Sequence, residues 1–253
     1  MTTLLHPRPL PSTGERALRR YTVELRKLLD TPSALAILAI TLAAGPAAIL
    51  LTLLLEPGRT VDSTGLAGEA LGLVAYILPL LAILSITGEW RLRTVLSTYT
   101  LDSARTAVLA AKCTAILTVV AVCVLAANIA AGLAAPLVGL PTPAPARLLV
   151  VGAGMLAGMA GIALVGAGFG ASLLNTPLAI ILYLTLPPAV PQLLGRVPAL
   201  RDVVPFLDVH TPLLTLIRSG VQATPVPSVI AGLLWIGLPL LVGFVRNATR
   251  DVA

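Results

Sequence analysis

Six long apolar runs, separated by short polar or proline-rich breaks, set the pattern of this chain. They cover about Ser33–Leu55, Ala70–Thr87, a helix that begins near Asp102, turns fully apolar after Lys112 and ends near Pro136, then Leu148–Leu174, Leu178–Leu194 and Ser228–Val245. A helix needs about 20 apolar residues to cross a ~30 Å hydrocarbon core. The runs are continuous rather than alternating, so they predict helices and not barrel strands. The expected fold is an all-α integral membrane protein with six transmembrane helices. Glu56-Pro57-Gly58, Pro141 to Arg147 and Asn175-Thr176-Pro177 read as turns.

Polar segments frame these runs. Ser12 and Glu15 have capping-box spacing and predict a helix start. Beyond them Leu18, Tyr21, Leu25, Leu28 and Leu29 recur at helical spacing, with Arg16, Arg19, Arg20, Glu24 and Lys27 assigned to the other side. This is a basic amphipathic helix, suited to a membrane interface. It stops near Asp30, and Thr31-Pro32 restarts a helix. Residues 1–32 are therefore expected as a cytoplasmic arm, 33–245 as one six-span membrane domain and 246–253 as a tail. Gly195 to about Pro227 carries Pro198, Pro205, Pro212 and Pro225 among its prolines, and apolar pieces too short to span. It is expected to be a re-entrant or interfacial segment.

Composition and charge agree. Charged residues make up 11% of the 253-residue chain, against about 25% in soluble domains. The net charge of +6 follows from basic residues gathered on one side of the membrane rather than from affinity for nucleic acid. Twelve of the 17 Lys and Arg residues fall in the arm, the Gly88–Lys112 connector and the tail; five fall on the opposite side. The positive-inside bias then places both termini and the connector in the cytoplasm of a cell inner (plasma) membrane protein. Cys113 and Cys123 share one helix about 15 Å apart, beyond disulfide reach.

The chain carries no phosphate loop, no H-E-x-x-H and no Cys/His cluster, so no covalent catalysis and no metal centre are expected. No Asp, Glu, Lys or Arg lies deep in the six runs, which disfavours an ion-coupled carrier. The mild polar groups that remain include Thr41, Tyr76, Asn128 and Tyr183, the candidates for lining a substrate pathway. Small residues at Gly154, Gly158, Gly166 and Gly170 allow close helix approach, expected within the chain ahead of between chains.

The connector between the second and third runs, "TGEWRLRTVLSTYT", can form a short helix. Trp90, Val95 and Leu96 offer apolar anchors; Glu89, Arg91, Arg93 and Thr94 offer polar contacts. Buried Trp and Arg dominate protein interfaces. This connector, with Glu89, Thr94, Arg105, Ala111 and Lys112 in place, together with the arm "ELRKLLDTPS" and the six-span plan, resembles the permease subunits of ABC-type-two exporters. Arg93 stands where that family usually has Gly, and the usual proline near residues 101–103 is missing. The resemblance implies a short cytoplasmic coupling helix docked on a separate ATPase subunit through Glu89, Trp90, Arg91, Arg93 and Thr94, with Arg19 and Lys27 of the arm beside it. It implies two copies of that ATPase, which would hold ATP and Mg, and a second permease copy or related permease. The cargo would be hydrophobic or amphipathic: a drug, antibiotic, lipid or peptide, as in multidrug efflux. The competing readings are a membrane scaffold or immunity protein that transports nothing, and an ion-coupled secondary transporter.

Overall fold

A computed structural model describes residues 12–56, 61–91, 104–220 and 225–249. The described residues are almost wholly helical. Helix α1 is Thr13–Asp30, α2 is Pro32–Leu55, α3 is Ser63–Arg91, α4 is Arg105–Leu137, α5 is Pro145–Leu173 and α6 is Thr176–Leu194. Two 3-10 turns, Pro198–Leu200 and Val204–Phe206, lead to α7, His210–Ser219. The last stretch is α8, Pro225–Gly232, a π-helical turn, Leu233–Gly237, and α9, Leu238–Thr249. Six segments are long and apolar enough to cross a membrane: Ala34–Leu55, Ser63–Glu89, Arg105–Leu137, Pro145–Leu173, Thr176–Leu194 and Val226–Thr249. The chain is a multi-pass helical membrane protein.

The predicted breaks hold where they are described, except that the Pro141 to Arg147 turn is shorter than expected, since Pro145 already opens α5. Ser12 accepts from the Glu15 amide at 3.2 Å, and the Glu15 carboxylate accepts from the Ser12 amide at 2.7 Å, closing the capping box. Thr31 ends α1 and Pro32 opens α2. Leu174 turns the chain with a positive φ of 53°, and Asn175 caps α6 by accepting from Leu178 N at 3.1 Å. α3 starts earlier than its apolar run, at Ser63, so Glu69 lies inside a candidate span, while α4 starts at Arg105, close to the expected start near Asp102, and its candidate span takes in Lys112. The connector from 92 to 103 lies outside the described residues.

α5 is the centre of the bundle, packed against α3, α4, α6, α7 and α9. Its small residues set how closely the neighbours come. A methyl group on Gly166 would lie 2.6 Å from the Pro79 carbonyl oxygen of α3, and one on Gly170 would lie 3.3 Å from Ile83 Cα. On another face, a methyl on Gly154 would lie 2.3 Å from Gly220 Cα and one on Gly158 would lie 2.5 Å from the Leu213 carbonyl oxygen. The glycine stripe is thus used within the chain. The same contacts show where the segment after α6 goes. α7 runs antiparallel to α5, with Gly220 level with Gly154 and Leu213 level with Gly158 and Gly161. At 1.5 Å per residue, Gly161 lies about 24 Å along α5 from Pro145. The segment folds back deep along the bundle.

The loops opposite α1 are latched by Asp62. Its Oδ1 accepts from Thr64 Oγ1 at 2.6 Å and Gly65 N at 2.9 Å, and its Oδ2 pairs with Arg147 at 3.0 Å. Burial would raise the Asp62 carboxyl, but these donors and the Arg147 charge hold it below its ordinary value. The latch is therefore complete above the unfolded value of 3.8 and is lost as pH falls through the lower folded one.

Gly220 adopts a φ of 74°, and a methyl there would also sit 2.6 Å from Val151 Cα. Gly154→Ala and Gly220→Ala are each expected to destabilise the bundle by about 1–3 kcal/mol. Gly152→Ala, with nothing within 4 Å, is the neutral control. Unfolding titrations in mixed micelles measure all three.

Candidate coupling site at the base of the bundle

The concentrated polar chemistry lies where α1 crosses the ends of α3 and α4. α1 turns one stripe inward: Tyr21, Glu24, Leu25 and Leu28 follow the i, i+3, i+4, i+7 spacing of a helix face. The expected assignment of Glu24 to the polar side is corrected, because its carboxylate is 5% exposed. Leu18 and Leu29, expected on the apolar face, are instead exposed. Tyr21 and Thr118 of α4 share a 3.0 Å hydrogen bond between their hydroxyls.

Glu24 belongs to a closed ring of four charges. Lys112 Nζ of α4 donates to Glu24 Oε2 at 2.6 Å and to Glu89 Oε1 of α3 at 3.0 Å. Lys27 Nζ donates to Glu24 Oε1 at 2.8 Å and to the same Glu89 Oε1 at 2.6 Å. The Ser85 carbonyl lies 3.4 Å from Lys112 Nζ as a further acceptor. Two ammoniums and two carboxylates cancel, so the ring carries no net charge. Burial would lower the Lys27 ammonium, but hydrogen bonds and charge from Glu24 and Glu89 outweigh it and raise it. That raised value keeps Lys27 charged, and its contribution present, below the ordinary lysine value; the contribution fades only as pH climbs through the folded one.

A pair of charges at ~4 Å is worth about 4 kcal/mol at an effective dielectric of 20. Desolvating each buried ion costs several kcal/mol. The two nearly cancel, so the ring adds little net stability. It specifies register instead: α1 fits only where both ends of the connector meet it. Breaking one member strands the others, and that costs the most.

The expected contact residues divide. Glu89 and Lys27 spend their charges inside the chain, with Glu89 only 14% exposed. Arg19 is exposed on the outer face of α1. Arg93 and Thr94 lie outside the described residues, as do the side chains of Trp90 and Arg91. The pathway candidates do not converge on one cavity. Thr41 is buried and donates to its own helix at Ile37 O, 2.7 Å away. Asn128 donates to Val124 O at 2.8 Å and meets Met155 Sδ at 3.4 Å between α4 and α5. Tyr76 faces outward from α3, whereas Tyr183 is buried against Phe169 and His210. No hydrogen bond or ring contact joins any two of these four, though Tyr76 is within electrostatic range of Tyr183.

Among the described residues no group of His, Cys, Asp and Glu is arranged to hold a metal ion. Both lysines of the ring are tied to carboxylates. What the ring can do is mechanical: it joins three helix ends into one block. No protein-family model matches this chain, and no curated protein matches it.

Lys112→Met leaves Glu24 and Glu89 with one cation between them. It is expected to cost about 3–5 kcal/mol, while Glu24→Gln, which keeps a hydrogen-bonding side chain in place, costs less. Combining Lys112→Met with Glu24→Leu should recover part of the loss. Thermal unfolding of the four proteins in one detergent checks the order.

Proposed function

We propose that this chain is the membrane subunit of an ATP-driven exporter, moved by a separate phosphate-loop ATPase that grips the connector between α3 and α4. One observation supports this most: the charge ring ties α1 to the last turn before the connector, through Glu89, and to the first turns after it, through Lys112. A push on residues 92–104 therefore meets a stiff base and is passed into three helices together. The missing phosphate loop requires the fuel to be burned elsewhere.

In this reading α1, the connector and the C-terminal end face the cytoplasm, as the basic residues favour. The membrane is the inner (plasma) membrane, and α7 is a re-entrant helix on the outer half. Two copies, or one copy and a related permease, enclose a path for a hydrophobic or amphipathic cargo, while two ATPase copies bind ATP and Mg beneath. The docking surface is made by Trp90, Arg91, Arg93 and Thr94 with Arg19 at its edge. Glu89 and Lys27 act behind it, as struts.

The test is co-purification with a phosphate-loop ATPase encoded beside this chain. Trp90→Ala together with Arg93→Ala is expected to remove at least about 2 kcal/mol of interface energy, or roughly a thirtyfold loss of affinity. Stimulated ATP hydrolysis should fall with it. Unchanged capture and unchanged hydrolysis would remove the motor from the proposal, and capture without any cargo movement would favour a scaffold.

A further inference from the structure

The start of α7 is an unusual place for a histidine. Val209 is buried and His210 packs edge-on against Tyr183 of α6, ring centres 6.1 Å apart. Tyr183 meets Phe169 of α5 at 6.3 Å, and Phe169 stacks on Trp235 of the π-helical turn at 6.2 Å. Trp235 Nε1 donates to the Leu207 carbonyl at 2.7 Å, which fixes the chain three residues before His210. Asp208 Oδ1 accepts from Thr211 N at 3.0 Å and caps α7.

Within this frame His210 Nδ1 is buried and has no hydrogen-bond partner. A neutral imidazole offers one donor and one acceptor, and a buried polar atom is rarely left bare. Burial lowers the His210 pKa below its ordinary 6.5, against the opposing pull of Asp208. The group packed on the ring from another element carries no charge: it is the Tyr183 phenol of α6, which the Tyr76 phenol of α3 reaches electrostatically and which Phe169 of α5 backs. Asp208, on its own segment, is the carboxylate in electrostatic reach.

We propose that His210 is a proton-operated switch on the seating of α7. Neutral His210 fits the aromatic seat. A proton taken from solvent onto the imidazole makes both ring nitrogens donors and adds a charge that the seat cannot solvate. The start of α7 then swings out of contact with Tyr183 and toward Asp208. The sign follows from burial of the neutral form: seating is at full strength above pH 6.5 and weakens as pH falls below it. This switch does not depend on an ATPase, so it and the proposed function can fail separately.

The chain has two tryptophans and two histidines. In a Trp90→Phe, His6→Gln background, Trp235 is the one indole and His210 the one imidazole. The full chain in phosphatidylcholine nanodiscs is titrated from about pH 8 to about pH 5, reading Trp235 emission and hydrogen exchange of residues 210–219. One reversible transition with a midpoint below 6.5 is expected, with α7 exchange, once divided by the intrinsic base-catalysed rate at each pH, rising by up to roughly tenfold per pH unit beneath it. The transition should vanish in His210→Phe, which keeps an aromatic ring against Tyr183, and in His210→Gln. Flat emission and flat intrinsic-rate-corrected exchange in the parent overturn the proposal outright, as does a transition that survives in a folded His210 variant. If neither variant inserts, an exchange change confined to 210–219 in the parent supports it, and one spread over the whole chain overturns it.

Discussion

The close approach of backbones along α5 is the contact on which the rest of the structure depends. In a membrane, apolar side chains gain little by leaving lipid for protein, so packing quality decides which helices associate. α5 answers with glycines on more than one face. Gly166 lets the Pro79 carbonyl of α3 come close, and Gly154 and Gly158 do the same for α7. Gly243 of α9 extends the pattern, since a methyl there would lie 2.4 Å from Ala171 Cβ. One small-faced helix thus holds neighbours that would otherwise have only lipid-like surfaces to offer each other.

The charge ring solves a different problem. α1 is short, polar and outside the spans, so close packing cannot place it. Its inner stripe has three apolar or aromatic members, and these alone would allow it to slide along α4. Glu24 removes that freedom, because its two oxygens reach two different lysines, one on its own helix and one on α4. Glu89 then closes the ring from α3. The arrangement is nearly neutral in stability and strict in geometry, which suits a junction that must keep three helix ends in register.

Much of this was legible in the sequence. The six runs, the capping box, the Thr31-Pro32 break and the Asn175 turn are local signals, and local signals survive folding. The charge of Glu24 assigns it to the polar side, although it sits three residues after Tyr21 and four before Leu28, on the face those residues define. Charge argued for the surface and spacing argued for the core; spacing won because Lys112 waited on the other side. Lys112 itself looked like the border of an apolar run, since nothing local reveals that a neighbouring helix will cover it. The depth of α7 was out of reach for the same reason: its placement comes from glycines on α5, more than fifty residues earlier.

The two polar centres have opposite mechanical characters, and they are joined. In the ring every charge has a partner, so small displacements are opposed from several sides. At His210 a buried nitrogen has none, so the seat holds the ring by shape alone. Between them runs an unbroken set of contacts. α3, which bears Glu89, also carries Thr87, whose hydroxyl meets that of Thr176 at 2.7 Å. Thr176 opens α6, and two turns further on α6 presents Tyr183 to His210. A shift of the α3 end that the ring transmits without yielding is thus delivered to the aromatic contact that holds α7 in place. Coupling between sites requires an element with two arrangements that both can bias. α7, held deep in the bundle by glycine contacts and seated at its start by the shape of the Tyr183 contact, is the element on which the proposed His210 switch would act.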